Sequence, residues 1–139
     1  MTNFFQIIVD CSTKKYFRFQ SRASRKEYIC FTFFCWCIGV FVAIIKSITY
    51  NNWGFLIDIF DYIFFIYTLV PLITVTTRRL HDFNVSGIFG ILVTIAYIAL
   101  LFFMGYGYIF IIIGLLITLF TMFKKGTPTT NKYGEPPSY

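Results

Sequence analysis

The sequence predicts an all-α membrane protein with four transmembrane helices, and three observations carry that expectation. Apolar residues make up 58% of the 139-residue chain and charged ones only 13%, whereas soluble domains run nearer half and a quarter. The apolar residues fall in long runs, parted by short polar or turn-forming stretches near 51–54, 78–87 and 104–107. The cations, twelve against six acids for a net charge of +6, gather in alternate stretches rather than scattering.

The chain reads as one integral domain: an interfacial segment over 1–23, a four-helix bundle over 24–123 and a cytoplasmic tail over 124–139. In the first part, Phe4, Phe5, Ile7 and Ile8 precede Lys14-Lys15-Tyr16-Phe17-Arg18-Phe19. Rings interleaved with cations suit the lipid headgroup layer, and that placement is preferred here to nucleic-acid binding. The cations follow the short apolar run instead of preceding it, the reverse of a secretory signal.

Ser24-Arg25-Lys26-Glu27 has the spacing of a reciprocal capping box and marks a helix start. The first span runs over about 28–50, with Lys46 placed to snorkel at its far end. Asn51-Asn52-Trp53-Gly54 turns the chain. The second span has two possible starts. Either the helix begins near Trp53, burying Asp58 and Asp61 one turn apart, or residues 53–59 lie along the outer interface and the span covers about 61–77. The second is preferred, because acids deep in lipid are costly. Pro71 is expected to kink this helix, with the hydroxyls of Thr74, Thr76 and Thr77 helping to satisfy freed carbonyls.

After the central stretch, residues 88–123 carry no charge. A single helix of that length would measure about 54 Å, nearly twice the hydrocarbon thickness. Met104-Gly105-Tyr106-Gly107 is the natural break, giving spans of about 88–103 and 108–123. Gly39 with Ala43 and Ser86 with Gly90 have the small-residue spacing that permits close helix contact. Six cations precede residue 28, two lie at Arg78 and Arg79, and three lie in the tail, leaving only Lys46 for the other side. Both termini and the central loop are therefore expected to be cytoplasmic.

Three stretches resemble the "domain of unknown function 805" family of small bacterial inner-membrane proteins. They are Tyr16-Phe17-Arg18-Phe19-Gln20-Ser21-Arg22-Ala23-Ser24-Arg25-Lys26-Glu27-Tyr28, then Arg79-Leu80-His81-Asp82 with Ser86-Gly87, then Gly126-Thr127 with Asn131-Lys132-Tyr133-Gly134 and Pro136. Ser21 stands where the family usually has Gly, and Ile88 where an aromatic usually follows Ser-Gly. The resemblance implies a multi-span bacterial inner-membrane protein and no particular activity.

All three stretches fall on the cytoplasmic side of the expected topology, so Arg22, Arg25, Glu27, Arg78, Arg79, His81, Asp82, Asn131 and Tyr133 are expected to meet in one polar layer at the helix ends. Arg79 and Asp82 have i,i+3 spacing and can pair, and Ser86 can cap the third span. The layer is expected to act as scaffolding or to bind anionic headgroups through Arg22, Arg25, Lys26, Arg78, Arg79 and Lys124, or to receive a partner or a second copy. Catalysis is not expected. His81 and Asp82 are neighbours whose side chains diverge by about 100° on a helix, and no nucleophile, phosphate-loop or paired-carboxylate motif is present. Cys11, Cys30, Cys35 and Cys37 have no metal or redox spacing, and no metal or cofactor is expected. The alternative function is a small transporter or channel subunit, with Asp58 and Asp61 as the ion pathway.

Overall fold

The computed structural model describes residues 3–49, 54–92 and 107–137. Helix is the only extended regular structure among them. The helices are α1 (Phe4–Ser12), α2 (Arg25–Thr49), α3 (Gly54–His81), α4 (described over 87–92) and α5 (Gly107–Phe123). α2 and α3 are each long and apolar enough to cross a membrane. α5, at 17 residues, measures about 26 Å and coincides with the expected span over 108–123. The expected span over 88–103 starts within α4, but most of it lies outside the described residues, as do positions 104–106 of the expected hairpin tip.

α2 packs chiefly on α3, α1 lies against both, and α5 touches α2. Large apolar side chains face outward along most of this bundle, among them Phe33, Val40 and Phe41 on α2, Phe60, Ile63 and Ile66 on α3, and Leu116 and Phe120 on α5. The buried residues gather where α2 begins and α3 ends. There Ile7 and Cys11 of α1 meet Ala23, Tyr28, Phe31, Val75 and Met122. The largest fully buried side chains in this zone include Arg78, Arg79 and Glu27. Such inverted burial suits a lipid surround, where apolar side chains need no cover and charges must find partners inside the protein.

Three local expectations are corrected. α3 runs unbroken from Gly54, so the helix does not start near 61 after a separate interfacial stretch. Lys46 Nζ lies 3.1 Å from Asp58 and 2.6 Å from Asp61, and this shared counter-charge removes the electrostatic reason for a break. At the start of α2 only half of the capping box forms. The Glu27 amide donates to Ser24 Oγ at 3.1 Å, but the Glu27 carboxylate turns inward to Arg78 instead of back to Ser24.

The third correction concerns Pro71, which lies within α3. Proline lacks the N–H that would bond the carbonyl four residues earlier, here that of Tyr67. The missing donor is the phenol of Tyr16, whose Oη donates to the Tyr67 carbonyl at 2.9 Å. Tyr67 Oη in turn donates to the Ser12 carbonyl at the end of α1, also at 2.9 Å. Thr74 Oγ1 serves Val70 and Tyr16, and Thr76 Oγ1 serves Leu72, whereas the buried Thr77 Oγ1 has no partner. The chain around the end of α1 is thus fastened to α3 near its proline.

Candidate functional site

Two adjacent arginines at the end of α3 point in different directions, as the turn of about 100° per residue requires of helical neighbours. Arg78 points toward α1 and α2. Its Nη1 lies 2.6 Å from Glu27 Oε1, with both side chains at most 2% exposed. The same carboxylate accepts from Lys15 Nζ at 3.1 Å and from Cys11 Sγ at 3.5 Å. Burial, and next the adjacent Glu27 charge, push the Cys11 thiol up to about 12.

Arg79 points toward α5 and the tail. Its Nη1 pairs with Asp82 Oδ2 at 2.5 Å, its Nε donates to the Thr121 carbonyl at 3.0 Å, and its Nη2 donates to the Lys124 carbonyl at 2.6 Å. The latter two acceptors lie at or just past the C-terminal turn of α5, where helix carbonyls lack intrahelical donors. Arg22 takes the other Asp82 oxygen, with Nε and Nη2 at 2.9 and 2.7 Å from Oδ1. Its remaining donors reach the tail: Nη2 donates to the Thr127 carbonyl and Oγ1, and Nη1 to the Thr129 carbonyl at 2.8 Å. Each oxygen of one buried carboxylate therefore holds one guanidinium, and the two guanidiniums between them gather α3, α5 and the tail.

The tail closes this layer by backbone contacts. Thr127 N donates to the Asp82 carbonyl at 2.9 Å, and Gly126 passes so close that a Cβ there would overlap the Asp82 carboxylate. Asn131–Gly134 forms a tight turn with Gly134 at φ +112°, a value glycine adopts without strain. Asn131 Nδ2 donates to the His81 carbonyl at 2.9 Å. The Tyr133 ring stacks on His81, with centroids 3.7 Å apart and planes 6° from parallel. His81 and Asp82 thus turn to different partners.

The structure brings Arg22, Glu27, Arg78, Arg79, His81, Asp82, Asn131 and Tyr133 into one contiguous region at the helix ends. Arg25 stands exposed at its rim, on a cavity of about 650 Å³ also lined by Lys26, Ile29, Cys30, Arg79 and Pro137. Of the six cations expected to meet headgroups, Arg22, Arg78 and Arg79 are buried in ion pairs, while Arg25, Lys26 and Lys124 remain exposed. Asp58 and Asp61 lie far along α3 from this layer, joined to Lys46. Sequence reasoning assigned no role in the layer to Lys15, Cys11 or Gly126. Gly126 already stood in a quoted motif, but nothing in one sequence links Lys15 or Cys11 to Glu27.

Taken together, two membrane-length apolar helices, outward-facing apolar side chains and charge gathered at one end describe an all-α integral membrane protein. The chain belongs to the family described as "Protein of unknown function (DUF805)", whose model matches residues 16–135. It is 31% identical over 126 residues to the inner membrane protein YhaI of Escherichia coli K12, covering 91% of each chain, and matches the protein of the same name from Escherichia coli O157:H7 equally well. No solved structure matches. Its place is the bacterial inner membrane.

Proposed function

We propose that this chain is a four-span accessory protein of the inner membrane, with both termini cytoplasmic, whose cytoplasmic face holds two helical hairpins together and engages anionic headgroups of the inner leaflet. The observation that carries this is the pairing of both acids in the buried layer with cations of the same chain. Asp82 and Glu27 are occupied by the protein's own cations, so the layer serves as a clasp, and the cations left exposed stand at its edge. Surface cations near an anionic leaflet each contribute about 1 kcal/mol. That suits a protein that organises or supports others at the membrane rather than one that turns over a substrate.

Topology is tested by labelling from outside in a cysteine-free background. A cysteine placed at Asn52 or Tyr106 is expected to react and one at Ser86 to stay protected; reaction at Ser86 would overturn the four-span arrangement. Purification with retained lipid, followed by mass spectrometry, tests the role. Enriched anionic phospholipid supports headgroup engagement, and a stoichiometric protein supports the accessory role alone. The transporter alternative draws less from the geometry, since Lys46 already occupies both Asp58 and Asp61. Absence of ion flux in proteoliposomes would end it.

A further inference from the structure

α1 is too short to cross a membrane. Its nine residues measure about 14 Å, and a free helix of that length is marginal in water. At about 100° per residue, three i,i+4 pairs divide its surface into three sectors. Ile7 and Cys11, with Ile8 beside them, are buried against the bundle. Phe5 and Val9 form the second sector and are 77% and 52% exposed. Gln6 and Asp10 form the third. There Gln6 Nε2 donates to Asp10 Oδ1 at 3.0 Å, and Lys14 Nζ pairs with the same oxygen at 3.1 Å.

The second sector adjoins the outward apolar surface of the bundle. Ser12 closes it one turn past Val9, and the Ser12 carbonyl accepts from Tyr67 Oη at 2.9 Å. Tyr67 is itself exposed on α3, one turn from the outward-facing Ile63. Past the helix, the Tyr16 ring lies 5.5 Å from the Tyr67 ring and 4.7 Å from that of the exposed Phe17. A helix with one side on the bundle, one apolar side uncovered and one polar side fits the boundary between acyl chains and water. A soluble partner could cover Phe5 and Val9, but it would not account for their continuity with the outward face of α3.

The buried sector leads into the clasp. Cys11 Sγ lies 3.5 Å from Glu27 Oε1 and 3.9 Å from Arg78 Nη2, so α1 covers one flank of that ion pair. We infer that α1 is a lid seated in the leaflet at the clasp end of the bundle, with Phe5 and Val9 among the acyl chains, Gln6 and Asp10 at the water, and Cys11 closed over Glu27 and Arg78. Seating one sector in lipid holds the neighbouring sector on the buried pair, and water reaches the pair when α1 lifts. This goes beyond the headgroup reading, because it draws on acyl chains rather than on anionic charge and holds in a neutral bilayer.

The test is spin labelling of the full chain in phosphatidylcholine nanodiscs, which leave both bilayer faces open to solvent. Phe5→Cys, Gln6→Cys, Val9→Cys and Asp10→Cys are made one at a time in a background otherwise free of cysteine. Labels at 5 and 9 are expected to meet dissolved oxygen but not a water-soluble nickel chelate, and labels at 6 and 10 the reverse. Nickel access at 5 and 9 would overturn the seating in lipid. Access of neither reagent there would overturn it in favour of a protein contact. The lid is tested in protein that keeps Cys11 as its only cysteine. Phe5→Ser/Val9→Ser is expected to speed maleimide modification of Cys11 in the nanodisc roughly tenfold or more, because opening is less opposed once two apolar side chains are gone from the lipid. Gln6→Ser is expected to leave the rate as in the wild type, and equal rates in the two variants would overturn the lid. Should the double variant be unstable, the access pattern at the four labelled positions decides. Because the bilayer is neutral, this outcome is separate from that of headgroup engagement.

Discussion

Asp82 stands between two buried guanidiniums, and its neutralisation would leave both without their acid. Breaking a buried pair from one side costs about 3–5 kcal/mol, much of it the burden of the uncompensated charge. Asp82→Asn is therefore expected to lower the melting temperature in detergent markedly, and Arg78→Met or Glu27→Gln to do the same at the other pair. Replacing Glu27 and Arg78 together by methionine should cost less than the sum of the single changes, because Lys15 is partly exposed and can turn to water. An additive double mutant would show that the pair acts independently. Cys11 gives a separate readout. With its thiol pushed up to about 12, roughly one molecule in ten thousand is thiolate at pH 8. Maleimide should modify it only after unfolding, and fast modification of the folded protein would contradict its burial. The pairing of Arg79 with Asp82 was legible from i,i+3 spacing. The second claim on Asp82, by Arg22 sixty positions earlier, was not, since no local period relates the two.

Among the elements, α1 and the segment that follows it are fastened to α3 by two phenols, Tyr16 on the Tyr67 carbonyl and Tyr67 on the Ser12 carbonyl. Tyr16→Phe removes the donor to the Tyr67 carbonyl and is expected to destabilise by about 1 kcal/mol. In a Pro71→Ala background residue 71 regains its own N–H, so the same change should cost much less; an equal cost in both backgrounds would separate Tyr16 from the proline. The sequence announced a defect at Pro71 and offered the nearby threonines as its remedy. The remedy instead comes from Tyr16, 51 positions before the Tyr67 whose carbonyl it caps. The unbroken start of α3 was missed for a related reason: a lone acid in an apolar run looks costly until its counter-charge on another helix is known. Lys46→Met tests that pair. Its members are 34–54% exposed, and exposed pairs contribute about 0–1 kcal/mol, so the loss should be far smaller than for Asp82→Asn.

At the scale of the molecule, the buried core and the buried ion pairs among the described residues gather at one end. Ion pairs that exclude solvent are weakly screened by salt, so raising ionic strength should leave the melting temperature of the clasp nearly constant. A steep fall with salt would mean that its charges are solvated. Gly126→Ala probes the same assembly from the tail, since its methyl group would displace the Asp82 carboxylate. Partial unfolding with release of residues 124–137 to protease is the expected result.

The sequence by itself determined the class of protein, the first and last helical runs and the segregation of charge to one set of ends, because these follow from apolar run length and from cation placement. It also brought Arg22–Glu27, Arg78–Asp82 and Asn131–Gly134 under suspicion of sharing one layer. Beyond the local Arg79–Asp82 pair, only the tertiary structure decided who pairs with whom. Arg78 turns to Glu27 and Arg79 to Asp82 because neighbours on a helix diverge. Arg25 remains at the rim while Arg22 is enclosed because α2 begins between them, and each buried charge must find its partner within the protein.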